Sequence, residues 1–276
     1  MAAWSRGGIA AVAEPRARDA GGPDRAGPQV EDGATPGYQG AFYTASPGGW
    51  RDYWNLLHPP YTAWHLAYVV IGACLAPVVS TSRLVATLLA FFAAVGLAAH
   101  ALDELRGRPL RTRIPSAVLI GLAAVGLIGA LALGLAGLSR VGWSLIPFLI
   151  VGPVLVVAYN LELFGGVVHT DAGFAAAWGA FPVLTAYVAQ TGRLAIAAVL
   201  AALAAYVLSL AQRRLSTPAR LLRRRVTRVE GHMDLRGGDT ARVDRSALLA
   251  PLEQALNALS WATVLLASGL AVARLG

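Results

Sequence analysis

Long stretches without a single charged residue constrain this chain more than any other feature. From Ile114 onward, uncharged apolar runs exceed the roughly 18 to 20 residues that a helix needs to cross a bilayer. Lipid offers backbone N–H and C=O groups no partner, so such runs must bond internally, as helices. Only 14% of the 276 residues are charged and 56% are hydrophobic, whereas a soluble domain devotes about 25% to charge. The one cysteine, Cys74, lies inside an apolar segment, so no disulfide framework exists. Near the start, Ile9 to Ala13 is an apolar run too short for a secretory signal.

Hydropathy predicts seven spans, at about 61–79, 84–104, 115–138, 143–163, 172–190, 194–212 and 252–273. The expected fold is therefore all-α, a polytopic transmembrane bundle over 46–276, preceded by a disordered arm at 1–45 rich in Gly, Ala, Pro and Arg. Trp50, Tyr53, Trp54 and Leu57 recur at helical spacing and suit a short interfacial helix, which His58-Pro59-Pro60 ends. Small residues at Gly126, Ala130 and Gly134, and at Gly173, Ala177 and Gly179, predict close helix packing. Pro153 and Pro182 should kink their helices, since each removes a backbone donor.

All basic residues are arginine, and their placement sets the orientation. The arm and the connections after the second, fourth and sixth spans hold 19 of the 23; the other side holds Arg83, Arg140, Arg193 and Arg274. That bias predicts a multi-pass cell-membrane protein with its N-terminus in the cytoplasm. It also accounts for the net charge of +8 without a nucleic-acid partner. Within a basic cytoplasmic loop at about 212–248, Thr217-Pro218 reads as the start of a separate helix. Its Arg220, Arg223, Arg224, Arg225 and Arg228 would lie on anionic lipid or, alternatively, bind the diphosphate of a lipid substrate.

Ionisable residues at span ends are candidates for function because burying them is unfavourable. His100, Asp103 and Glu104 share a helix face at the end of the second span, ahead of Arg106, Arg108 and Arg111. Tyr159, Asn160 and Glu162 close the fourth span, with His169 and Asp171 after the Gly165-Gly166 turn, and Arg213 and Arg214 close the sixth. Two chemistries fit. Carboxylates can hold Mg²⁺ on a diphosphate that arginines clamp. Alternatively His100, Glu162, His169 and Asp171 could bind a transition metal. A third reading is that these groups simply pair with nearby arginines at the interface.

Three stretches carry a family resemblance. Tyr53-Trp54-Asn55-Leu56-Leu57-His58-Pro59-Pro60, then His100 to Leu110, then Tyr159-Asn160 with Trp178-Gly179-Ala180-Phe181-Pro182 and Gln190-Thr191-Gly192 together resemble the UbiA-like intramembrane prenyltransferase superfamily. The resemblance covers roughly residues 50 to 215. It implies a UbiA-like helix bundle that binds an isoprenoid diphosphate and transfers its prenyl group to an acceptor. Asp103 and Glu104 would be catalytic and hold Mg²⁺. His100, Arg106, Arg108, Arg111, Tyr159, Asn160, Arg213 and Arg214 would bind substrate. The first Asp-rich motif keeps one carboxylate: Ala99-His100 stand where Asn-Asp belong, and Gly107 where the last Asp belongs. The second motif, Gln212-Arg213-Arg214, has none. A catalytically inactive lipid-binding or scaffold protein of the same fold is the alternative, as is a His/carboxylate metal-site protein.

Overall fold

The computed structural model describes residues 41–276; most of the expected arm lies outside them. After a short helix, α1 (Trp50–Leu57), come α2 (Pro59–Cys74), α3 (Thr81–Leu105), α4 (Ser116–Val141), α5 (Trp143–Asn160), α6 (Asp171–Thr191) and α7 (Ile196–Arg224). A hairpin of β1 (Glu230–Asp234) and β2 (Thr240–Asp244) precedes α8 (Arg245–Leu275). The six helices α3 to α8 are each long and apolar enough to cross a membrane. With 16 residues, α2 is shorter, about 24 Å. It is also strongly enclosed: Trp64, Tyr68 and Val69 on it are almost fully buried.

Contacts at the helix ends show that successive helices alternate in direction. At one end, His58 meets His100, Arg106 meets Glu162, Arg213 meets Asp171 and Arg223 meets Glu253. At the other, the Gln190 carboxamide pairs with Ser80, Arg83 donates to the carbonyls of Arg140 and Gln190, and Arg274 donates to those of Ala76 and Pro77. The first end, called the polar end below, gathers the ionisable groups.

Small residues set the spacing inside the bundle. A Cβ on Gly72 would lie 2.3 Å from the Val183 carbonyl oxygen, so α2 and α6 touch backbone to backbone. Gly179 against Ala205 and Ser209, and Gly126 against Ala93 and Ala98, bring α6 to α7 and α4 to α3 in the same way.

Two helices contain π-helical turns, at Phe92–Ala99 in α3 and Ala175–Ala180 in α6. Such turns are rare and frequent at functional sites. The second ends just before Pro182. Lacking an N–H, Pro182 cannot donate to the Trp178 carbonyl. His65 Nδ1, from α2, lies 2.9 Å from that oxygen instead.

The sequence reading needs correction between 212 and 251. No new helix starts at Thr217-Pro218; α7 runs through Pro218 to Arg224. Proline here removes a single bond to the Arg214 carbonyl on an exposed side of the helix, where water can replace it. The expected long loop shrinks to a linker and the β1–β2 hairpin, whose tip holds Gly237 and Gly238, both at positive φ. Asp244 then caps α8, its carboxylate accepting from Ala247 N–H at 2.8 Å.

Candidate functional site

A cavity of about 340 Å³ opens at the polar end, and each bundle element around it contributes for a local reason. The π-turn in α3 places Val95, Ala99, His100 and Asp103 on its wall; the π-turn in α6 presents Trp178. From α5 come Tyr159 and Asn160, from α2 Tyr61 and His65. The richest wall is α7. Because this helix does not break at Pro218, Gln212, Arg213, Ser216, Arg220, Arg223 and Arg224 follow one another along one face and all line the cavity.

Residues Ala41 to Gly49 form a strap along the rim. Asn55 holds the strap with both amide atoms, accepting from Ala45 N–H at 2.8 Å and donating to the Ala45 carbonyl at 2.9 Å. Buried Asp52 accepts from Gly48 N–H at 2.9 Å and from Arg113 N–H at 3.0 Å, tying strap, α1 and the α3–α4 loop together. The Tyr43 hydroxyl bonds His58 Nδ1, and His58 stacks edge-on with His100, ring centres 4.9 Å apart. Burial, then the charges of His100 and of Arg224, Arg220 and Arg223, hold the His58 imidazole well below its ordinary pKa. The ring is therefore neutral at pH 7, in an electropositive setting.

Three further histidines direct Nδ1 at backbone oxygens. His65 meets Trp178 at 2.9 Å, His169 meets Tyr159 at 2.9 Å, and His100 meets Gly96 at 3.3 Å. A carbonyl can only accept, so Nδ1 carries the proton in each and, in the neutral ring, Nε2 is left as an acceptor. His169 also stacks on Tyr159, ring centres 4.4 Å apart.

The expected site residues divide into two groups. His100, Asp103, Tyr159, Asn160, Glu162, His169 and Arg213 line the cavity. Glu104, Arg106, Arg108, Arg111, Asp171 and Arg214 are not among its lining residues. Glu104 is fully buried and accepts from Leu110 N–H, Thr112 N–H and the Thr112 hydroxyl at 2.8 to 2.9 Å, so it organises the α3–α4 loop. Arg108 donates to the Ile114 carbonyl in the same loop and to the Ser116 hydroxyl at the start of α4. Arg106 pairs with Glu162 at 2.7 Å, and Arg111 and Arg214 are exposed.

The alternative metal set of His100, Glu162, His169 and Asp171 is not gathered. Glu162 is paired with Arg106, Asp171 with Arg213, and His169 is stacked on Tyr159. Among the described residues no group of three or more His, Cys, Asp or Glu side chains is disposed to hold a metal ion. For Mg²⁺ on a diphosphate the fit is also poor. Asp103 is the cavity carboxylate outside the ion pairs of the described residues, where Mg²⁺ would take several oxygens.

Arg220, Arg223 and Arg224 line the cavity although the substrate-binding set expected from the sequence does not include them. Their signal was the helical spacing from Gln212 through Pro218, legible once α7 is taken as continuous.

A second cavity, about 380 Å³ and lined chiefly by apolar residues of α3 to α6, has walls that run from Val95 and Trp178 to Arg83 and Arg140 at the opposite end. Leu127, Leu131, Phe148, Leu149 and Phe181 are among its walls. It shares Val95 and Trp178 with the polar cavity.

No family model, curated protein or solved structure matches the chain.

Proposed function

We propose that this is a multi-pass protein of the cell membrane that binds an isoprenoid diphosphate, phosphates in the polar cavity and hydrocarbon in the apolar one. The observation that carries this reading is that the two cavities share Val95 and Trp178 as wall residues. A ligand spanning that boundary needs a strongly anionic head and an apolar tail. Arginine is the side chain best suited to phosphate oxygens, through its planar set of donors. The arginine bias argues that the polar end faces the cytoplasm, where soluble prenyl diphosphates are met. The UbiA-like resemblance implies that Asp103, Tyr159, Asn160 and Arg213 bind the head group, and these residues line the polar cavity.

Transfer of the prenyl group to an acceptor is the catalytic extension of this reading. The engagement of Glu104 with its loop and of Glu162 with Arg106 favours the non-catalytic version, a lipid-binding protein of the same architecture. Full-length protein in neutral-lipid nanodiscs, titrated with radiolabelled farnesyl or geranylgeranyl diphosphate, tests binding. Saturable uptake near one ligand per chain, with the corresponding free alcohol binding at least tenfold more weakly, is expected. Equal binding of the alcohol, or none of either ligand, contradicts the reading. Offering candidate acceptors to the loaded protein separates the versions: prenylated product marks the transferase, and binding without turnover the lipid-binding protein.

A further inference from the structure

We propose that the head-group site grips its anion with arginines alone, Arg220 and Arg224 standing where a prenyl-diphosphate site would use divalent cations. The inference rests on the isoprenoid-diphosphate reading for its ligand, but its charge argument stands on the cavity itself.

Four arginines on one face of α7 line the cavity, and two are already neutralised. Arg213 donates to Asp171 at 2.8 Å, and buried Arg223 donates to Glu253 of α8 at 2.9 Å. Arg220 and Arg224 form no ion pair with a described carboxylate. Among the described residues, the single cavity carboxylate left to oppose them is Asp103, across the cavity on α3. Two guanidinium groups against one carboxylate leave the described residues of the cavity with surplus positive charge.

Arg224 is exposed, but Arg220 is partly buried, and a charge drawn out of bulk water calls for compensation. A diphosphate supplies it, and guanidinium groups can each give two parallel hydrogen bonds to its oxygens. A Mg²⁺ ion entering beside two unpaired arginines would meet repulsion, with one carboxylate to hold it. Neither Glu162 nor Glu104 is available to help, for the reasons above. Electrostatics and ligand count thus agree against a cation and for direct arginine contact.

Wild-type protein in neutral-lipid nanodiscs, titrated with geranylgeranyl diphosphate and separately with inorganic pyrophosphate, in EDTA and in Mg²⁺, provides the test. Both probes should bind in EDTA, and Mg²⁺ should change affinity by no more than about twofold. Arg220→Gln and Arg224→Gln should each weaken both probes by about tenfold or more, the size expected for loss of a charged hydrogen bond. A gain of tenfold or more on adding Mg²⁺ overturns the proposal, as does wild-type protein that binds neither probe. The metal comparison needs no variant, so it decides even if a substituted protein fails to fold. Pyrophosphate binding in EDTA without binding of the prenyl ligand would uphold the arginine site and reject the isoprenoid reading.

Discussion

Arg213 Nε donates to Asp171 Oδ1 at 2.8 Å, joining α7 to the first turn of α6 at the rim of the polar cavity. The Arg213 guanidinium also lies over the Phe174 ring, 5.3 Å from its centre. Much of its charge is therefore committed before any ligand arrives. Asp171→Asn should release it. Pyrophosphate affinity is expected to rise a few-fold in a titration, while stability falls by no more than about 1 kcal/mol, since the Asp171 side chain is half-exposed. Unchanged or weaker binding would show that Arg213 does not reach the ligand.

The adjacent carboxylates Asp103 and Glu104 should behave as opposites. Glu104→Ala leaves three donors of the α3–α4 loop unpaired, two of them buried, and is expected to lower stability by about 3 kcal/mol in thermal or denaturant unfolding. Asp103→Asn, at the cavity wall, should change stability by less than about 1 kcal/mol. It should tighten anion binding, because a negative charge facing the head group is removed. Equal destabilisation by both variants would contradict the division of labour.

The strap hangs on Asn55. Asn55→Ala removes two hydrogen bonds to Ala45, each contributing about 1 kcal/mol. Faster amide exchange over residues 41–49 is the expected readout, with a faster ligand on-rate if the strap limits entry. Exchange unchanged from wild type would place the anchor elsewhere.

His58 supplies a pH dependence. Its folded pKa lies well below the ordinary 6.5, chiefly through burial and then through His100 and the cavity arginines. A base with a depressed folded pKa gains its proton on unfolding. Its contribution to stability is therefore complete above about pH 6.5 and declines as pH falls from there towards the folded value. His58→Gln should flatten that part of the stability profile measured in unfolding experiments between pH 7 and 5. An identical slope in both proteins would assign the dependence to other groups.

Periodicity and charge made the helices legible, because in lipid the backbone leaves few choices. The small-residue contacts at Gly126 and Gly179, the His58 break and the gathering of ionisable groups at one end all followed from that reading. Two kinds of feature did not. Pro218 resembles a helix start locally, yet α7 continues through it, since packing and an exposed carbonyl outweigh one lost bond. And a chemically suggestive residue does not reveal which way it faces: Glu104 sits beside Asp103 in sequence but turns to the loop, and three consecutive bonds there fix it. Such orientation depends on the loop's backbone path, where Arg108 and Arg111 take positive φ, a feature that hydropathy does not encode.

In the proposed complex one ligand occupies both cavities, its head among Arg220 and Arg224 and its tail beyond Val95 and Trp178. A prenyl diphosphate carrying a photoreactive group at the far end of its chain, cross-linked in nanodiscs and mapped by mass spectrometry, tests it most directly. The account predicts labelling of apolar-cavity residues such as Leu131, Phe148 or Leu149, suppressed by excess unlabelled prenyl diphosphate and reduced in Arg220→Gln. Labelling confined to the outer, lipid-facing helix surfaces, or insensitive to competitor, would contradict it.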